Sequence, residues 1–276
     1  MCLKRCVAIL DADGSFIRSS LFLLIVDALV RAFPNLFSEE TLASVKRAKR
    51  AWEERENASC YDDYLHTWTG EFDQGILRGL PIDGIRPLID EVLDAHANKT
   101  YVFTRLLHSA LCEVGYETYL VSLSPDFVVQ AAASRWGFTR GFGMPYVVAN
   151  GKFTGDRFFP DKRKIVLNEC INQPGLPQVE DTIVVGDTMG DLSMLKMADR
   201  AIAFNPCDAL KNAAREEGFT VVVERKDSID VQRPTRLVEP LDDGRLRLID
   251  VNLREVFPPD VACVLDRRLR NWREKR

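Results

Sequence analysis

The sequence predicts an α/β chain: a mostly parallel sheet with helices on both faces, and an all-helical stretch near its start. Short apolar runs bounded by turn residues recur at 7–10, 118–122, 181–185, 200–204 and 220–223, each the length of a buried strand. Helical spacings fill most of the intervals between them, and strands separated by helices pair in parallel with both faces covered. Several of the runs also end in polar residues, and ligands of such sheets bind at the carboxyl ends of the strands.

The first run stops in Asp11-Ala12-Asp13-Gly14-Ser15. Residues two apart in an extended segment project to the same side, so Asp11 and Asp13 are expected to face one site. Two crowded carboxylates repel, which points either to a divalent metal or to an acid and base pair. Gly14 lets the backbone turn away sharply, and Ser15 offers a hydroxyl or a helix cap.

Ser19-Ser20 then cap a helix carrying Leu21, Leu24, Ile25, Ala28 and Leu29. Residues on to about 80 are expected to be all-helical. Within them Ser38-Glu39-Glu40 starts a segment, and Lys46, Arg47, Lys49 and Arg50 form a solvated face. Trp52, Tyr61, Tyr64, Trp68 and Phe72 supply its core. Arg18 and Arg55 read as surface cations. Turn residues Gly79-Leu80-Pro81 close the unit.

Beyond it, 85–93 and 102–114 are helical, the second stopping at Gly115. The strand at 118–122 runs into Ser122-Leu123-Ser124-Pro125-Asp126, hydroxyls at a helix start of the kind that can cradle phosphate. Asn150-Gly151 between two short alternating runs marks a hairpin. Asp161-Lys162-Arg163-Lys164 opens another helix. The strand at 181–185 ends in Gly186-Asp187-Thr188-Met189-Gly190-Asp191, and a helix starting near Thr188 holds Asp191 in its first turn. Leu192, Met194, Leu195 and Met197 give that helix its core. Asp243-Gly244 reads as a small hairpin, and the arginines from Arg267 to Arg273 as charge near a helix C-terminus.

Composition narrows the function classes. A net charge of −4 over 276 residues removes the electrostatic case for nucleic acid. Seven cysteines without a Cys-x-x-Cys pair read as reduced thiols rather than a disulfide framework or a zinc site. The N-terminus runs into the first strand without room for a signal peptide, and residues 21–30 are too few to span a bilayer. The expectation is a cytoplasmic protein; its oligomeric state is left open.

Read together, Asp11-Ala12-Asp13-Gly14-Ser15, Val121-Ser122, a lysine, and Gly186-Asp187-Thr188-Met189-Gly190-Asp191 resemble, in that order, the four motifs of the haloacid dehalogenase superfamily. The likeness covers roughly residues 5 to 224 and is to the phosphoserine-phosphatase-like branch. It implies a Rossmann-like core at 1–17 and 98–224, with its hairpin near 146–154, a helical cap inserted at 18–97, and an extension of unassigned role at 225–276. It implies a phosphatase acting on a small phosphomonoester. Asp11 would be the nucleophile and Asp13 the acid and base. Asp11, the backbone carbonyl of Asp13, and Asp187 would hold Mg2+. Ser122, Lys162 and Gly14 would bind the phosphoryl group, with Lys164 the alternative lysine, and Asp191 would orient the lysine or stand behind the metal. The cap would close over the site and select the substrate. The branch usually carries a glutamate nine residues after the nucleophile to pair with the substrate ammonium; here that residue is Ser20, which argues against phosphoserine. At Gly190 many relatives carry asparagine. A phosphotransferase using an acceptor alcohol, and a non-catalytic binding or regulatory protein on the same fold, are the competing readings.

Overall fold

The computed structural model describes residues 5–36, 38–54, 64, 67, 77–225, 228–232, 239–240, 246–247 and 252–275. Its first half runs β1 (Arg5–Asp11), α1 (Leu21–Ala32), α2 (Glu39–Glu54), α3 (Ile82–His96), α4 (Val102–Glu113), β2 (Glu117–Pro125), α5 (Asp126–Trp136) and β3 (Arg140–Met144). A hairpin of β4 (Tyr146–Ala149) and β5 (Lys152–Arg157) leads to α6 (Lys162–Ile165), which continues as the π-helical Val166–Ile171. Then come β6 (Val179–Gly186), α7 (Leu192–Leu195), β7 (Arg200–Phe204), α8 (Asp208–Glu217), β8 (Thr220–Arg225) and β9 (Ser228–Gln232). The pair β10 (Glu239–Pro240) and β11 (Leu246–Arg247), then α9 (Leu253–Val256) and α10 (Pro259–Glu274), complete it.

The main sheet has the order β3-β2-β1-β6-β7-β8-β9 and is parallel except for β9, which pairs antiparallel with β8. From β1 the chain builds β2 and β3 on one flank, then crosses back to lay β6 on the other. The crevice beyond the ends of β1 and β6 is therefore the point where strand order reverses, where ligands of such sheets bind.

Alternation along β1 sorts the two faces. Ala8, Leu10 and Ala12 join the core with residues of α1, α3, α4, α5 and α10, whereas Val7 and Ile9 face Val166, Cys170, Met194, Leu195 and Leu210. Asp11 has the parity of Val7 and Ile9, so its carboxylate is directed toward the face that carries α6 and α7. Ser20 caps α1 as expected, accepting from the Leu23 amide, and Tyr64 is buried in the α1 side of the core. The expectations for the Trp52 side chain and for Arg55, Tyr61, Trp68, Phe72 and Asp243-Gly244 lie outside the described residues. The flanking β10 and β11 do pair antiparallel.

Two strands escape the sequence pattern. β3 shows no apolar run because it is glycine-rich, yet a Cβ at Gly141 would stand 2.5 Å from the Val129 carbonyl, and one at Gly143 2.6 Å from the Ser124 carbonyl. The glycines let the edge strand lie against α5 and the end of β2. β9 is polar and half-buried, as an outer strand can be. The segment after 225 is also more than an appendage: Val261, Ala262, Leu265 and Leu269 of α10 are buried in the core beside α4. Arg267 and Arg268 both donate to Glu113.

Beneath that helix, His108 of α4 lies 3.1 Å from the Thr118 hydroxyl and stacks on Phe138. Burial lowers its pKa from 6.5 to about 4, so the folded state holds it neutral while the unfolded chain can protonate it. Its contribution is complete above the ordinary value and is lost as pH falls toward the lowered one. Urea unfolding at about pH 7.5 and about pH 5 is expected to show about 2 kcal/mol of acid destabilisation from this residue. His108→Gln should flatten the pH dependence by that amount, and an unchanged slope would refute the assignment.

Candidate active site

Five charged side chains, Asp11, Asp13, Lys162, Asp187 and Asp191, gather beyond β1 and β6. Asp11 ends β1 and is 3% exposed. Lys162, 7% exposed, is the first residue of α6 behind its cap Asp161, and its Nζ donates to Asp11 Oδ1 and to Asp191 Oδ1, both at 2.6 Å. Lys164 is exposed. A lysine at a helix start is ordinarily solvated; here the turn between β5 and α6 aims the first of the two inward and leaves the other outside.

Asp191 is wholly buried and fully engaged. Its Oδ2 accepts from the amides of Asp187 and Thr188 and from the Thr188 hydroxyl at 3.0, 3.1 and 3.3 Å, while Oδ1 takes the lysine. The expected helix start near Thr188 is a 3-10 turn, Met189–Asp191, closed by a reciprocal cap between Thr188 and Asp191. Gly190 has room for a side chain, the nearest atom to an added Cβ being Thr188 Oγ1 at 3.5 Å. The glycine is thus not forced by packing.

Asp187 sits opposite the first loop. A Cβ at Gly14 would fall 2.1 Å from Asp187 Oδ2, and Gly14 has φ +81°, so this position requires glycine both for its backbone and for the room it leaves the carboxylate. Carboxylate oxygens of Asp11, Asp187 and Asp191 lie within 4.8 Å of one another. Burial, then the charge of Asp191, push Asp187 up to about 7, and the same two causes raise Asp11. Burial works against the charge on Lys162, but Asp11 and Asp191 outweigh it and raise its pKa. One cation thus serves three carboxylates. Asp191 is already saturated, and the three carboxylates make an all-oxygen donor set of the kind that could hold a hard divalent cation.

Asp13 is held differently. Its Oδ1 accepts from the Leu21 amide at the start of α1, at 2.6 Å. Its Oδ2 accepts from the hydroxyls of Ser122 and Ser124, both at 2.7 Å. Ser122 is therefore beside Asp13, with its proton directed to that carboxylate. Both serines fall where β2 slips its register against β3, between Val121 and Pro125. Ser124 had a visible signal, standing two residues beyond Ser122 on the same side of the strand. Ser15, in contrast, caps nothing: it is buried, and its carbonyl accepts from Thr104.

Glu224 was missed altogether. It is buried at the end of β8 and accepts from the amides of Val102 and Phe103 at the start of α4 and from Arg18. Arg18 also donates to the Thr100 carbonyl and lies over the Tyr101 ring, so this cation, exposed as expected, also ties together the segments leading into and out of 18–97.

An aspartate cluster with a buried lysine thus stands at the switch point of a mostly parallel sheet. Residues 8–196 match the haloacid dehalogenase-like hydrolases, and the chain belongs to that family. Phosphoserine phosphatase of Methanocaldococcus jannaschii is 27% identical over 155 residues, which is 55% of this chain and 68% of that one. Among solved structures, a protein of unknown function from Bordetella pertussis Tohama I superposes with a TM-score of 0.64 at 18% identity, over 79% of this chain and 98% of that one. A phospho-aspartyl intermediate analogue of phosphoserine phosphatase superposes at 0.50 with 21% identity, over 81% and 95%. The chain is a phosphatase-type hydrolase of that family, and it is similar to phosphoserine phosphatases. No helix among the described residues is long and apolar enough to cross a membrane.

Proposed function

We propose that this chain hydrolyses a small phosphomonoester other than phosphoserine, with Mg2+, through a phosphoryl group carried on Asp11. The observation that carries the reading is the Lys162 ammonium shared at 2.6 Å between Asp11 and Asp191, next to the Asp187 carboxylate. Asp11, Asp187 and the backbone carbonyl of Asp13 would hold the metal. Bound there, Mg2+ offsets the repulsion between a carboxylate and a phosphate dianion.

The residues divide the work. An Asp11 oxygen attacks phosphorus, forming the new P–O bond as the ester P–O bond breaks. Asp13 gives a proton to the departing alkoxide and then takes one from the water that attacks the aspartyl-phosphate. Lys162 fixes the Asp11 rotamer and stabilises phosphoryl charge in the transition state. Asp191, bonded to two backbone amides, holds the lysine in place. Gly14, expected to bind the phosphoryl group, instead donates its amide to the Ile17 carbonyl at 3.0 Å and leaves open the space beside Asp187, and Ser122 turns its hydroxyl from Asp13 to a phosphoryl oxygen. Ser20 supports the exclusion of phosphoserine, since the hydroxyl nine residues after Asp11 is engaged in capping α1 and brings no charge for an ammonium.

The test is phosphate release from phosphoserine, sugar phosphates and nucleotides, with Mg2+ or with EDTA. Turnover that needs Mg2+ and ranks phosphoserine low is expected. Melting curves read the metal separately: at a hundred times its Kd, Mg2+ should add about 2.7 kcal/mol of stability to the native protein and none to Asp187→Asn. Turnover only with an added acceptor alcohol would favour phosphotransfer, and none under any condition would overturn catalysis.

A further inference from the structure

We propose that Ser124 is a positioning residue for the general acid: it keeps Asp13 aimed at the leaving group after Ser122 has turned to the phosphoryl group. The proposal rests on the phosphatase reading above and concerns a residue to which that reading gives no part.

Ser124 is 2% exposed, and its hydroxyl has one arrangement that satisfies it. The Phe22 amide donates to its Oγ at 2.9 Å, so the Ser124 proton is left for Asp13 Oδ2 at 2.7 Å. The Leu21 amide holds Oδ1. Asp13 is thus clamped through one oxygen by the first turn of α1 directly and through the other by a serine bonded to that same turn. The Ser124 amide donates in turn to Ser122 Oγ at 2.9 Å, which fixes the spacing of the two hydroxyls.

Only one of the two serines can be released without freeing the acid. If Ser122 donates to a phosphoryl oxygen, Oδ2 loses one of its two hydroxyl donors, and a carboxyl held through Oδ1 alone can rotate about its Cβ–Cγ bond. Ser124 prevents that rotation. The amides of Leu21, Phe22 and Leu23 are all committed to Asp13, Ser124 and Ser20, so the start of α1 serves to register the acid rather than to bind an anion. The bulge between Val121 and Pro125, and the close passage of Gly143 against the Ser124 backbone, hold the serine in this place.

An acid acts on the leaving group, so a misaimed acid harms esters of poor leaving groups and spares those of good ones. The experiment compares glycerol phosphate, whose alkoxide needs a proton, with p-nitrophenyl phosphate, whose phenolate does not. Ser124→Ala is expected to slow the first-turnover release of glycerol by about 30-fold, with KM nearly unchanged, and the first-turnover burst of p-nitrophenolate by less than about fivefold, these rates being read before the hydrolysis of the aspartyl-phosphate that is common to both esters. Ser124→Thr, which keeps the hydroxyl, should recover most of the loss. Equal losses on both esters, as a misfolded or loosened protein would give, overturn the proposal, as does no loss on either. Asp13→Asn, measured alongside, separates the two levels: if it lacks this leaving-group dependence, Asp13 is not the acid and the phosphatase reading fails at that step, whereas its presence there and absence in Ser124→Ala refutes the role of Ser124 alone.

Discussion

Asp11→Asn is expected to lower phosphate release by at least about 10^4-fold while leaving the protein folded. The change is isosteric, and the amide oxygen can still accept from Lys162, whose second bond to Asp191 is untouched. What is lost is the attacking carboxylate. Removing one of three carboxylates crowded within 4.8 Å also relieves repulsion, so the melting temperature in EDTA should not fall. An acid quench during turnover should trap labelled phosphate on the native protein and none on the variant. Residual turnover above about one hundredth of native would place the nucleophile elsewhere.

The features that organise this site were legible where chain periodicity and chemistry coincide. The run into Asp11 and the run into Gly186-Asp187 are apolar strands interrupted by acids, a pattern that packing alone would not select, and the hairpin at Asn150-Gly151 follows from two residues that accept positive φ. What stayed hidden depends on neighbours distant in sequence. Lys162 and Lys164 differ only in which side of a one-turn helix meets Asp11. β3 is a strand because α5 approaches so closely that only glycine fits at Gly141. Glu224 looks like the polar end of a strand, and its role appears only once the start of α4 is seen to direct two amides at it. α10 shows its apolar face in sequence, but the helix it packs on, α4, lies some 150 residues earlier.

Lys162→Met should have the largest effect on stability and nearly as large an effect on rate. Methionine can follow the buried course of the lysine stem, so the loss is the charge and not the packing. At neutral pH, Asp11 and Asp191 would then stand buried without their cation, and breaking a buried pair in this way costs about 3 kcal/mol or more. The carboxylates can escape by taking up protons, which gives the variant a signature. Its folded state would bind more protons than its unfolded state, so its stability should fall as pH rises and approach that of the native protein as pH drops below the ordinary carboxylate range. Turnover should fall by about 10^3-fold, because both the aim of Asp11 and the charge facing the phosphoryl oxygens are lost. Lys164→Met, on the exposed side of the same turn, should change neither quantity. Denaturant unfolding of the three proteins across pH, with phosphate release at one pH, tests both halves together. If Lys164→Met gave the loss and Lys162→Met did not, the assignment of the lysine would be reversed. A Lys162→Met protein equally destabilised at every pH would mean that packing, and not the charge between Asp11 and Asp191, is what the lysine contributes.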